Sequence, residues 1–214
     1  MGELTEDNID WDSPPFQLTD VDREILSMRD EDFHRITWDD LKDIIGNNHL
    51  EKLQRTPPET RKYLVWSYNI KKQYDGITNF VIKERLFWKP KPDTESPEFE
   101  HHSDTPFADP RDFTVLVNDW PYGFASGIVH VVVWTKTRIP VDDEHGDVTA
   151  DSRQLIDDFT NRYFVKDLEN DGERVMWFKN WVSLQSVRGV DHVHVLARDV
   201  PKDVLERWTE RRDL

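Results

Sequence analysis

The stretch WFKNWVSLQSVRGVDHVHVL (177–196) gathers most of the side chains in this chain that could do chemistry. A loop rich in amides and hydroxyls, with Gly189 near its end, runs into a β-branched segment carrying His192 and His194. Side chains in a strand alternate between faces, so His192, His194 and Arg198 are expected on one side of a sheet. An imidazole pair on a strand face points to a place where something polar or anionic binds. A second segment, IVHVVVWTK (128–136), sets His130, Val132, Trp134 and Lys136 on one face and valines on the other. If the two strands neighbour one another, His130 joins His192 and His194.

Three histidines on one surface could ligate a divalent metal. The alternative is a set of hydrogen-bonded histidines, structural or in contact with a ligand. We favour the second, and assign no metal and no cofactor. Lys136, Lys179, Arg188 and Arg198 supply cations at strand ends or in the loop before the histidine pair, Asn180, Ser183, Gln185 and Ser186 supply neutral donors, and Gly189 permits a close backbone approach. Such a set suits the phosphate of a sugar or nucleotide; the plainer reading is that Gln185 and Arg188 staple a loop. Trp120 and Tyr122 add aromatic surface beside the central strand, in the turn NDWPYG (118–123), where Asp119 is expected to form an Asx turn.

The elements that position these residues are readable from caps and periodicity. Residues 1–15 are acidic and read as a flexible tail. Helices are expected from Thr19 or Asp20, from Thr37 to Ile45 with a capping box, and from Pro57 to Gly76. ITNFVIKERLFW (77–88) fits either a helix or a strand. Residues 89–111, with five prolines and six acids, read as a mobile loop in which His101 and His102 are solvated. Strands follow at 113–117, 128–136, 175–178 and 193–197. A polar connection spans 140–150, Asp151 or Ser152 caps a helix to Val165, and Pro201 starts a last one. The expected fold is α+β: a helical region (16–88), the proline-rich loop (89–111), then a mainly antiparallel sheet with one helical layer (112–214). Residues 16–214 together read as one compact domain.

Composition limits the function classes. The chain has 214 residues, no cysteine and a net charge of −15. Disulfides, thiolate metal sites and thiol catalysis are therefore excluded, and so is general affinity for nucleic acid. No apolar run is long enough to span a bilayer, so no membrane partner and a cytoplasmic location are expected. Charge is uneven: residues 1–60 carry 16 acids and 6 bases, whereas 61–91 carry 8 bases and 2 acids. That basic segment reads as a solvated helix face more readily than as an anion site.

Two resemblances attach to these blocks. ITNFVIKERLFW (77–88), NDWPYGFASGIVHVVVWTK (118–136) and residues 177–196 resemble the signature blocks of the fungal N-acetylglucosamine-induced protein 1 family, a domain of uncharacterised biochemistry linked by name to the response to that sugar. Residues 128–196 are also similar to the histidine-triad nucleotide hydrolases and transferases, which implies His194 as nucleophile, His192 as its neighbour, and Asn180, Ser183 and Gln185 as phosphate donors. Leu196 departs from that pattern where a third histidine is required, and Arg188–Val190 lengthen the loop. The expected function is binding of a phosphorylated sugar or nucleotide sugar at His130, Lys136, Lys179, Asn180, Ser183, Gln185, Arg188, Trp120 and Tyr122. Nucleotidyl or phosphoryl transfer through His194 and His192 is one alternative, and a protein-interaction module is the other.

Overall fold

The computed structural model describes residues 3–210 apart from positions 143 and 145; those two, in the expected polar connection, and the chain ends lie outside the described residues. Four strands, β1 (Phe113–Val117), β2 (Ile128–Thr135), β3 (Val175–Phe178) and β4 (His192–Arg198), form one antiparallel sheet in the order β1-β2-β4-β3. Placing β2 beside β4 pairs His130 with Leu196, Val132 with His194 and Trp134 with His192. The alternation of valine with polar or aromatic residues fixes this register, because a slip by one residue would turn the valines out of the core.

One sheet face is apolar apart from the buried Thr135. Val115, Val131, Val133, Val193 and Val195 pack there against Ile156 and Phe159 of α5 (Ala150–Tyr163) and Val204 and Trp208 of α6 (Lys202–Thr209). Thr149, rather than Asp151 or Ser152, caps α5: its side chain accepts from the Ser152 N–H. Each large apolar side chain buried in this layer contributes about 1.5–3 kcal/mol.

The opposite face is also covered, by helices of the N-terminal region, while α5 and α6 form the one helical layer expected within residues 112–214. The N-terminal helices α1 (Asp20–Ser27), α2 (Trp38–Gly46), α3 (Pro57–Tyr74) and α4 (Ile77–Phe80) lie on this side. They bury two separate clusters. Leu41 and Ile44 of α2, with Ile36 and Leu50, meet Phe124, Phe178 and Leu196. Ile70, Ile77, Val81, Ile82, Leu86 and Trp88 meet Val132 and Trp134. Between the clusters the sheet presents its histidines.

Three segments differ from expectation. ITNFVIKERLFW is helical but changes pitch: α4 widens into a π-helical turn over Val81–Leu86 that ends at Phe87 in the left-handed region (φ 57°). The five-residue spacing of the buried Val81 and Leu86 matches one wide turn, which is why neither a 3.6 nor a 2.0 period fitted. The proline-rich loop sends Phe99 and Phe107 into the core, and buried Asp112 accepts hydrogen bonds from the backbone N–H groups of His102 and Ser103. His101 is exposed, as expected, and its ring is bonded to Asp104 and to the Phe99 carbonyl. The acidic N-terminal segment is held against α3, where the Asn69 amide donates to the Leu4 carbonyl and accepts from its N–H, and Phe16 packs on Tyr68.

Candidate functional site

Between the two clusters lies a cavity of about 460 Å³ whose floor is the polar strip of the sheet. Its lining includes Val132, Trp134, His192 and His194 from β2 and β4, Arg55, Tyr63 and Trp66 from the start of α3, Arg85 from the π turn, and Asn118, Trp120 and Tyr122 from the β1–β2 connection. Backbone bonds stitch the last segment to the N-terminal helices: the Gly123 N–H donates to the Gln54 carbonyl and the Ile36 N–H to that of Gly123. Glycine is required at 123, since a Cβ there would sit 2.5 Å from Cε1 of Phe33. This seam brings Arg55 and Tyr122 together.

The histidines form a directed chain. Asn118 Oδ1 accepts from the Trp120 N–H at 3.0 Å, which turns the amide nitrogen of Asn118 toward the His130 ring at 3.2 Å. His130 Nε2 lies 2.9 Å from His194 Nδ1. Asn118 Nδ2 lies equally near both ring nitrogens of His130, and one assignment that serves every group has Asn118 donating to Nδ1 and His130 Nε2–H donating to His194 Nδ1. In that assignment His194 carries its proton on Nε2, which is buried and has no partner among the described residues. His192 is oriented oppositely: its Nδ1 lies 2.8 Å from the Val190 carbonyl and donates to it, leaving Nε2 as an acceptor. The cavity floor thus offers a donor and an acceptor on adjacent same-face positions of β4.

Aromatic rings hold these imidazoles in place. His194 stacks on Phe178 with centroids 4.7 Å apart, His192 lies against Trp134 at 4.5 Å, and His130 is stacked on Tyr122. Burial pushes His130 down to about 3, with the nearby Arg55 charge acting in the same direction. Burial also holds His192 down to about 4, although its bond to the Val190 carbonyl opposes the shift. His194 is held well below its ordinary value, first by burial and then by the neighbouring imidazoles and Arg55. At neutral pH all three are uncharged hydrogen-bonding rings.

The remaining expected residues divide. Trp120, Tyr122, Asn180 and Ser183 line the cavity with His192 and His194, while His130 supports the floor from beneath. Asn180 Nδ2 donates to the Tyr122 hydroxyl at 3.4 Å, and Asn180 Oδ1 is buried without a partner. Gln185 instead staples the loop, donating to the Asn180 carbonyl at 2.6 Å. Lys179 is buried in an ion pair with Asp191 at 3.3 Å, and Lys136 donates to the Arg111 carbonyl; neither lines the cavity. Arg188 is exposed and also outside it. The close approach at Gly189 is to Thr78 and Pro97, which a Cβ would meet at 2.7 and 3.1 Å, so that glycine serves packing of the loop. The Asx turn belongs to Asn118, and Asp119 instead accepts from Arg85 at 2.7 Å.

Sequence reasoning passed over Arg55, Tyr63, Trp66 and Arg85. Arg55 precedes the Thr56 cap of α3 and carries no periodic signal, and Arg85 is brought in by the π turn. Leu196, at the third position of the histidine pattern, is fully buried in the cluster around Leu41 and Phe178. The three strand histidines do not converge on a common point, because His130 Nε2 and His194 Nδ1 face each other. His102, Asp109 and Asp112 do bring possible metal ligands within 4.8 Å of one another. There, however, Asp112 is already bonded to the backbone of His102 and Ser103, and Asp109 to Arg111.

Comparison with known proteins places this arrangement among relatives. Residues 37–198 match the family model described as "Protein of unknown function (DUF3605)", a range that holds all the strands and the whole cavity floor. N-acetylglucosamine-induced protein 1 of Candida albicans is 34% identical over 181 residues, covering 77% of this chain and 68% of the relative. Uncharacterized protein YPL067C of Saccharomyces cerevisiae is 29% identical over 178 residues, covering 82% and 85%. Among solved structures, one titled "Crystal Structure of HTC1" aligns with a TM-score of 0.57 at 29% identity, covering 78% of this chain and 86% of that one.

Proposed function

The chain belongs to the DUF3605 family, and on that premise we propose that the sheet-face cavity binds a phosphorylated sugar or a nucleotide sugar. The observation that carries this reading is His194 Nε2, a buried polar atom with no protein partner on a ring that lines a 460 Å³ cavity. An unsatisfied buried donor costs about 1–3 kcal/mol, and a ligand acceptor removes that cost. The cavity volume falls in the range of small-molecule sites, and its mix of tryptophan and tyrosine walls with a few polar groups suits a ring that stacks and hydrogen-bonds. The name of the Candida relative ties that protein to induction by N-acetylglucosamine; carried to this chain, it supports an amino-sugar metabolite.

Binding is favoured over nucleotidyl transfer by the tautomer. A nucleophilic His194 needs a lone pair on Nε2, whereas the assignment in which Asn118 donates to His130 Nδ1 puts a proton there. Thermal shift against N-acetylglucosamine 6-phosphate, UDP-N-acetylglucosamine and AMP tests the reading. A ligand at 100 times its dissociation constant contributes about 2.7 kcal/mol, or roughly 5–10 °C for a chain of this size. No shift with any of the three sinks the binding reading. Turnover of a nucleotide sugar that His194→Ala abolishes would replace it with transfer.

A further inference from the structure

Arg55 and Arg85 are the two cations among the described residues that line the cavity, and their situations differ. Arg85 forms an ion pair with Asp119 at 2.7 Å. Arg55 makes no ion pair among the described residues. Its guanidinium lies 4.0 Å from the centre of the Tyr63 ring and 5.3 Å from that of Tyr122, and its Nε is buried with no hydrogen-bond partner. Such a guanidinium is fixed in position by rings that leave its donors free, so it is arranged for an anion that the protein does not supply. Tyr122 also links Arg55 to the floor, since it stacks on His130 and accepts from Asn180. Three polar atoms without a partner among the described residues, Arg55 Nε, His194 Nε2 and Asn180 Oδ1, therefore belong to residues linked to Tyr122 directly or, for His194, through His130. The Asn180 amide can turn over, because a tyrosine hydroxyl both donates and accepts, so this group can present its N–H instead.

From these observations we infer that Arg55 is the anion anchor of the cavity and that it selects a ligand with a single phosphoryl group, a sugar monophosphate rather than the pyrophosphate of a nucleotide sugar. This rests on the binding function proposed above and narrows it. The charge inventory gives the reason. One cation is uncompensated, since Arg85 and Asp119 neutralise each other, while Asp22 and Glu51 also line the cavity and repel further negative charge. The phosphoryl oxygens take the N–H groups of Arg55 and His194, with Asn180 as a third contact, and His192 Nε2 accepts a sugar hydroxyl.

Calorimetric titration of the full chain with N-acetylglucosamine, N-acetylglucosamine 6-phosphate, UDP-N-acetylglucosamine and inorganic phosphate tests the inference on wild type, Arg55→Gln and Arg55→Lys. A charged hydrogen bond is worth about 1.5–3 kcal/mol, so Arg55→Gln is expected to weaken the monophosphate about 10- to 100-fold while leaving the unphosphorylated sugar within about twofold. Retained sugar binding shows that the variant is folded. Arg55→Lys recovers part of the loss, because it keeps the charge without the planar fork. Wild type is expected to bind the monophosphate more tightly than UDP-N-acetylglucosamine. Equal loss of both sugars in Arg55→Gln, or tighter binding of the nucleotide sugar by wild type, overturns the assignment of Arg55 while leaving the binding function standing. Absence of heat with every compound overturns both.

Discussion

The histidine floor makes stability depend on pH in a calculable way. His130 and His192 are pushed down to about 3 and about 4 in the folded chain, and His194 well below its ordinary value. In the unfolded chain each titrates near about 6.5. Between those limits the unfolded state binds more protons, so the stabilising contribution is full above about pH 6.5 and falls as the solution is acidified. At pH 5 each ring costs about 1.36 kcal/mol for each of about 1.5 pH units, or about 2 kcal/mol. Three rings together remove roughly 6 kcal/mol between pH 7 and 5, a large part of the 5–15 kcal/mol typical of a domain. His101 acts oppositely: its pKa is raised by the Asp104 hydrogen bond, so it adds stability on the acid side, but it is partly exposed and screening weakens its contribution. Urea denaturation at pH 7 and 5, followed by tryptophan fluorescence, reads the effect as a midpoint lowered by on the order of 2 M, for a slope of about 2–3 kcal/mol/M. His192→Gln is expected to flatten the pH dependence by about a third. Equal midpoints at both pH values, or an unchanged dependence in His192→Gln, would refute the claim that these rings are buried and neutral.

Other substitutions test how the floor is supported. Lys179→Ala removes the buried partner of Asp191, which keeps Arg138 at 3.7 Å and the Ile139 N–H, and is expected to cost about 1–3 kcal/mol by denaturation. Leu196→His, which completes the histidine pattern, puts a polar ring into the Leu41–Phe178 cluster; a loss of about 2 kcal/mol or more and no transferase activity are expected, and measured turnover would revive the triad reading. Gly123→Ala drives a methyl into Phe33 and is expected to cost about 1–3 kcal/mol while weakening ligand binding, because the displaced seam carries both Arg55 and Tyr122.

Much of the fold was legible because caps and alternation are local signals. Thr19, Thr37 and the Pro57–Pro58 pair mark helix starts that the coordinates reproduce, and the valine alternation of β2 and β4 alone sorts the histidines onto one face. The site was legible in part. His192, His194, Asn180, Trp120 and Tyr122 lie on segments whose composition is unusual, and they share the cavity. Arg55 was not legible, because its role comes from a seam between distant segments: Gln54 bonded to Gly123, and rings 8 and 67 positions away in sequence. Arg85 depends on a change of helical pitch that no period predicts. Conversely Lys136, Lys179 and Arg188 looked available as cations, but a strand end or loop supplies its own carbonyls and carboxylates, and the first two are taken by them.

The central claim, that the unpartnered His194 N–H in the sheet-face cavity is a ligand contact, is tested most directly by titrating N-acetylglucosamine 6-phosphate into wild type and His194→Phe. The substituted ring retains the stack on Phe178 and removes the donor. Saturable binding with one site per chain, weakened about tenfold or more in His194→Phe, is the predicted result. Undiminished binding by a folded His194→Phe would contradict the claim.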